Sequence, residues 1–328
     1  LSHWNRELSC MTNVPMGKPD LNLRIPLVPR SAGGLSLANP VMAASGTFGY
    51  GTEYAGLVDI QRLGAIVSKG VTLQPRSGNP QPRLAETPGG LLNSIGLENI
   101  GVEALIREKA PLWAGWSVPV IVNIAGESIE EYGELAQRLD GVPGISGIEV
   151  NISCPNVKSG GMEFGTDART AAAVTEAVRT RTRLPVIVKL TPNVTDPVEI
   201  ARAVESAGAD ALTIANTFRG MAIDTARRRP ALGNVFGGLS GPAIKPLALG
   251  LVYRTYPAVK VPIIGCGGIA SVTDVLEFLM AGASAVQVGT ATLADPHTMV
   301  AIIEGLERFM EREGLSAIGD IVGVAHGR

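Results

Sequence analysis

Eight short apolar runs punctuate the chain, each entered from Gly, Ala or Pro and closing near Gly, Ser, Asn or Lys. They are PVMAAS (40–45), GAIVSK (64–69), PVIVNI (119–124), GIEVNIS (147–153), PVIVKL (185–190), ALTIAN (211–216), PIIGCGG (262–268) and AVQVGT (285–290). Their apolar positions are nearly continuous rather than alternating, the pattern of parallel strands buried on both faces. Between them lie amphipathic stretches at 128–140, 167–182, 196–208 and 271–282, several opening on a Ser or Asp cap and closing at Gly. From Ser45 to Gly289 the units repeat about every 35 residues, the period of a (β/α)8 TIM barrel. A doubly wound sheet would normally carry a Gly-rich fingerprint in its first strand-to-helix turn. The turn here is ASGTFGYG, which does not match.

Two intervals are too long for a plain unit, and the surplus is expected as inserted loops at 73–97 and 218–240, on the face where barrels place their active sites. Ahead of the barrel, LNLRIPLV and GLSLANPV flank the turn PRSAGG and predict a hairpin closing the barrel bottom. Residues 1–21 read as an unanchored arm and 22–328 as one barrel domain, with no linker dividing it.

Composition narrows the function. The chain is 45% hydrophobic and 18% charged, which excludes disorder and fibrous classes. With a net charge of -2 and no basic block beyond Arg227, Arg228 and Arg229, nucleic acid is not an expected partner. Three scattered cysteines, Cys10, Cys154 and Cys266, suit a reducing cytoplasm and form no metal-site spacing. No apolar stretch of membrane-spanning length occurs, and LSHWNRELSCMTNV lacks the order of a signal peptide. His3, His297 and His326 are too few and badly placed for zinc or Ser-His-Asp chemistry.

The chemistry collects at the strand ends: Ser45, Lys69, Asn123, Asn151 with Cys154, Lys189, Asn216, Gly267 with Gly268, and Gly289 with Thr290. Amides, lysines and glycines suit a planar, hydrogen-bonding ligand that carries a phosphate. GCGGIAS and VGTAT fall after strands seven and eight, where barrels hold phosphate with backbone N–H groups. Lys69 and Lys189 each end an apolar strand and need a partner there; an isoalloxazine, negatively charged near N1 and O2 when reduced, provides one. Cys154, on a Pro/Gly-rich loop, is the best candidate for a proton acceptor, whereas Cys266 reads as an inert buried thiol. Asn93, Asn151, Asn156 and Asn216 offer paired donors and acceptors for a ligand with alternating C=O and N–H. A flavin-free barrel binding a phosphorylated metabolite remains the alternative from another class.

Taken together, ASGTFGYG, SKGVT, LLNSIGLEN, NISCPNVKSGGMEFG, VKLTPNVTD, ANTFRGMAIDTARRRPALGN, GGLSGPAIKP and GCGGI resemble dihydroorotate dehydrogenase, the flavin enzyme of pyrimidine synthesis, from about residue 22 to the end. The resemblance implies a barrel with FMN over the strand ends and no metal. FMN contacts fall on Ala44, Ser45, Lys69, Asn123, Asn151, Lys189, Ile214, Ser240, Gly241, Gly267, Gly268, Gly289 and Thr290, and substrate contacts on Lys69, Asn93, Ile95, Gly96, Leu97, Asn151, Asn156, Asn216 and Thr217. Cys154 takes the place of the catalytic base. Membrane-associated, quinone-using members have Ser there, so this chain resembles the soluble types. CPNVKSGGMEFG is similar to the NAD-linked catalytic subunit, which implies a homodimeric core and a second subunit carrying FAD and a 2Fe-2S cluster in a 2+2 assembly. The fumarate-linked type, acting alone, is the rival.

Overall fold

The computed structural model describes residues 21–28, 34–153, 155–156 and 162–327. Every apolar run forms a strand: β1 Val41–Ala43, β2 Ala65–Val67, β3 Val120–Ile124, β4 Gly147–Asn151, β5 Val186–Lys189, β6 Ala211–Ile214, β7 Ile263–Cys266 and β8 Ala283–Val288. All neighbours pair in parallel, and β8 closes onto β1 with Val286 opposite Val41, so the sheet is the expected eight-stranded barrel. Short, β-branched and Gly- or Pro-bounded, these runs are buried on both faces because helices cover them outside.

The four amphipathic stretches form helices Ile129–Leu139, Ala168–Arg179, Pro197–Ser206 and Val272–Met280. Ser128, Asp167, Asp196 and Ser271 cap them, each side-chain oxygen accepting a backbone N–H of the first turn. Ile25–Val28 and Leu35–Leu37 pair antiparallel as the hairpin ahead of the barrel. Leu35 and Ser36 line a cleft with Pro119, Ser146 and Pro185, which precede β3, β4 and β5, so the hairpin sits at the barrel bottom. Its turn and the arm 1–20 lie outside the described residues.

The insertions are more than loops. Leu84–Thr87 and Gly90–Asn93 form a hairpin whose second strand pairs with Gly237–Ser240, which in turn pairs with Phe218–Gly220. One four-stranded antiparallel sheet is therefore built from both insertions. Its glycines are obligatory at two positions: a Cβ on Gly237 would stand 2.5 Å from the Asn93 carbonyl oxygen, and one on Gly238 2.0 Å from Thr217 Oγ1. The pairing joins segments about 145 residues apart in sequence, beyond the reach of local pattern.

Candidate active site

The strand ends and the inserted sheet meet in two groups. On one side, Ala44 follows β1 and donates its N–H to Val288 at the end of β8 (2.9 Å). A Cβ on Gly289 would lie in ordinary contact with Ala44, at 3.4 Å. Thr290 Oγ1 donates to Ser240 Oγ at 2.8 Å, and Ser240 Oγ to the Leu91 carbonyl at 3.3 Å, so the inserted sheet is fastened to the end of β8. Gly241, at φ 94°, lies beside Thr290 and Gly90. Gly267 and Gly268 leave β7 at φ 134° and 75°, and a Cβ on Gly268 would stand 2.6 Å from the Lys245 backbone nitrogen. Only glycine permits that approach to the start of helix Lys245–Thr255.

Among the described residues, none accepts a hydrogen bond from the backbone N–H of Gly267, Gly268, Gly289 or Thr290. Four backbone donors at two neighbouring strand ends, with hydroxyls at Ser240 and Thr290, fit a phosphate monoester. The residues present are thus suited to the phosphate end of FMN.

On the other side, Lys69 follows β2, its ammonium 3.6 Å from Glu98 and its side chain 28% exposed. Gly70 follows, and a Cβ there would meet Asn123 Oδ1 at 2.8 Å and Leu97 Cδ2 at 3.7 Å, which places the 93–97 segment over β2 and β3. Gly96 and Leu97 both take positive φ, 74° and 55°. Ile95 fixes the segment by accepting from the Asn79 N–H at 3.0 Å. Asn93 donates to the Gly238 carbonyl at 3.1 Å, next to Thr217.

Of the four asparagines, Asn151 and Asn216 are brought together, Asn216 Nδ2 donating to Asn151 Oδ1 at 3.2 Å and to Ser153 Oγ at 3.0 Å. The Thr217 N–H donates back to Asn216 Oδ1 at 2.8 Å. Asn93 approaches through Gly238 and Thr217, while Cys154 and the Asn156 side chain lie outside the described residues. Ile214 is buried at the end of β6, and Ser45 is partly exposed after β1.

Beneath these groups runs a buried polar layer in which Asn123 and Lys189 meet Glu149, Thr213 and Gln287, three residues that the strand ends do not reveal. Glu149, in β4, is wholly buried. Its carboxylate accepts from Asn123 Nδ2 (2.8 Å), Thr213 Oγ1 (2.8 Å) and Gln287 Nε2. Lys189 Nζ donates to Gln287 Oε1 at 3.0 Å and stands 3.7 Å from Glu149. Lys189 therefore already has a protein counter-ion in addition to any ligand. Burial disfavours its charged form, but the facing Cys266 sulfur and Glu149 carboxylate outweigh it and raise the lysine's pKa. Cys266 keeps some exposed surface as a residue, yet desolvation pushes its thiol up. At neutral pH that leaves the Glu149 carboxylate, 3.7 Å away, as the anion beside Lys189; the sulfur adds to the rise only above neutrality, where it ionises. Tyr132, from helix Ile129–Leu139, donates its hydroxyl to the Asn151 carbonyl at 2.6 Å and braces the end of β4. A glutamate and a glutamine inside otherwise apolar strands, GIEVN and AVQV, were the available signals.

Comparison with known proteins agrees with this geometry. The family model described as dihydroorotate dehydrogenase matches residues 30–310. A protein of Desulforamulus reducens is 59% identical over 294 residues, covering 90% of this chain and 97% of its own. One from Geotalea uraniireducens is 54% identical over 308 residues (94% and 99%), and one from Pelobacter propionicus 56% over 306 (93% and 98%). Each of the three is named dihydroorotate dehydrogenase B (NAD(+)), catalytic subunit. The family model and these relatives show that the chain belongs to the dihydroorotate dehydrogenase family.

Proposed function

We propose that the chain oxidises dihydroorotate to orotate with bound FMN as the catalytic subunit of an NAD(+)-linked enzyme of pyrimidine synthesis. The observation that carries the reading is 59% identity, over nearly the whole of both chains, to a catalytic subunit of that name. When bound, FMN supplies a two-electron acceptor for the hydrogen leaving carbon 6 of the substrate. Gly267, Gly268, Gly289 and Thr290 would hold its phosphate, with Ala44, Ser45, Ser240, Gly241 and Ile214 around the chain leading to the ring. Lys69, Asn123, Asn151 and Lys189 would face the ring itself.

Substrate falls to Asn93, Ile95, Gly96, Leu97, Asn151, Asn156, Asn216 and Thr217, with Lys69 as counter-ion. The supporting feature is the mutual orientation of Asn151 and Asn216, which holds two amides ready for a ring of alternating C=O and N–H. Cys154 removes the proton from carbon 5, a role that rests on its place in the motif. No helix among the described residues is long and apolar enough to cross a membrane, and we place the enzyme in the cytoplasm.

The relatives' designation as catalytic subunits supports a partner subunit here. Its finer form is an FAD and 2Fe-2S subunit docked on a homodimer of this chain, in a 2+2 assembly, because the first strand-to-helix turn carries no dinucleotide fingerprint and NAD+ needs a site of its own. The test is reduction by dihydroorotate of FMN on the purified chain, followed by turnover with NAD+ and with fumarate, alone and with proteins copurified from the native source. NAD+ turnover that needs a copurified subunit is expected. A chain that reduces fumarate at full rate unaided has the fumarate-linked activity instead, and a colourless chain that binds only a phosphorylated metabolite overturns the flavin reading.

A further inference from the structure

Of the buried layer, only Asn123 and Lys189 have a part in the roles assigned so far. Five strands contribute to it: Asn123 from β3, Glu149 from β4, Lys189 from β5, Thr213 from β6 and Gln287 from β8, all facing the barrel interior. Glu149 is 0% exposed and Lys189 5%. Donors and acceptors are matched around Gln287 and Glu149. Gln287 turns its carbonyl to the Lys189 ammonium and its NH2 to the Glu149 carboxylate, while Thr213 donates to the same carboxylate and receives a second Gln287 N–H at 3.3 Å. A carboxylate wholly removed from water is costly unless such partners compensate it, and a core of this kind could have been built from Val and Leu.

We propose that Glu149 is a positioning residue for the flavin site, its carboxylate keeping Lys189 charged throughout turnover and aiming the Lys189 ammonium and the Asn123 amide at the ring. The proposal rests on the reading of the strand ends as an FMN site. Among the described residues the titratable groups facing Lys189 are Glu149 and Cys266. The latter is a thiol for the reason given above, so Glu149 is the only one of the two able to balance the ammonium. Without that carboxylate, an ammonium at this depth would lose its proton in the oxidised enzyme, as buried lysines do. It would regain the proton when negative charge arrives on the ring. Two-electron reduction then takes up one proton in the native enzyme, onto the flavin, and two in Glu149→Gln, the second onto Lys189 Nζ.

The flavin midpoint potential reads this difference directly. Each proton taken up with two electrons contributes about 30 mV per pH unit. Between about pH 7.5 and 9, below the ordinary lysine range, the native slope is expected near 30 mV per unit. Glu149→Gln should approach 60 mV per unit, with Glu149→Asp, which keeps the charge, returning toward 30. A purely structural role would weaken FMN retention in both variants and leave the slope alone. FMN-loaded Glu149→Gln with the native slope therefore overturns the proposal. Should Glu149→Gln fail to fold, a native slope near 60 across this range overturns it equally, and one near 30 supports it. Native chain that binds no FMN overturns the underlying site reading instead.

Discussion

Thr290 Oγ1 lies 2.8 Å from Ser240 Oγ, and this contact joins the last barrel strand to a sheet assembled from two distant insertions. The hydroxyl pair stands at the mouth of the proposed phosphate cradle, so it couples sheet placement to cofactor binding. Ser240→Ala and Thr290→Val should each weaken FMN binding with little loss of fold. A net hydrogen bond is worth about 0.5–1.5 kcal/mol, which corresponds to roughly two- to tenfold in affinity. Because both changes remove the same contact, the double variant should fall short of the sum of the singles. Titration of apoprotein by flavin fluorescence quenching reads all three.

Gly268→Ala tests the cradle's backbone. At φ 75° an L side chain is strained, and its Cβ would stand 2.6 Å from the Lys245 nitrogen and 2.8 Å from its Cα, which are backbone atoms. Neither can move without shifting the start of helix Lys245–Thr255. The expected cost exceeds about 1 kcal/mol, seen as a lower midpoint in urea, together with loss of FMN. At Gly46 a Cβ would meet nothing within 4 Å although φ is 88°, so Gly46→Ala probes the dihedral alone and should cost less.

The acid limb of stability should depend on Asp140 and Asp167. The Arg183 backbone N–H at 2.7 Å, and after it the Thr182 hydroxyl at 2.9 Å, hold the Asp140 carboxyl below its ordinary value against the opposing effect of burial. Thr170, through its hydroxyl and backbone N–H, does the same for Asp167. A pKa lower in the folded than in the unfolded chain gives stability that is full above the unfolded value of about 3.9 and is lost as pH falls through the folded value. Asp167→Asn keeps a good cap, so it should change stability little at neutral pH and flatten the decline below about pH 4. Urea midpoints measured at pH 7 and at pH 3 check this.

Barrel strands and capped helices were legible because each is specified locally: Ser128, Asp167, Asp196 and Ser271 announce helices within four residues, and a run such as PVIVKL needs no distant partner to read as a buried strand. The inserted sheet was not, since Gly237–Ser240 has little strand character until Asn93 and Thr217 stand against it. Strand ends reveal Lys189 and Asn123, but Glu149 lies two residues before Asn151, inside the strand, where a charged side chain in an apolar run signals an interior partner. The protein counterpart of Lys189 lies on another strand, so the run PVIVKL alone does not disclose it.

Cys154 is the proposed base, and Cys154→Ala should leave FMN and orotate binding intact while slowing flavin reduction by dihydroorotate. General-base losses run to about 10²- to 10⁴-fold, so stopped-flow reduction at the native rate would remove Cys154 from the role. Cys266→Ala is the matched control. Its thiol is held protonated by burial, and the variant should reduce at a rate close to native.

Asn216 gives the sharpest test of substrate recognition because its amide is oriented at both ends. Its NH2 donates to Asn151 Oδ1 and Ser153 Oγ, and its carbonyl accepts the Thr217 N–H. Asn151 Oδ1 is held in turn by the Ser153 N–H at 3.2 Å, so the Asn151 amide cannot flip without losing that bond. Asn216→Asp is isosteric but sets oxygen against oxygen at 3.2 Å and adds a negative charge beside an anionic substrate. Asn216→Ala removes the donor and leaves Asn151 free to turn. Losing the neutral hydrogen bond that orients Asn151 costs about 0.5–1.5 kcal/mol, so orotate binding, followed by the shift in flavin absorbance, should weaken roughly two- to tenfold in Asn216→Ala and further in Asn216→Asp. Equal losses in the two variants would mean that Asn216 acts by filling space, and the assignment of a directed amide pair to the substrate ring would fail.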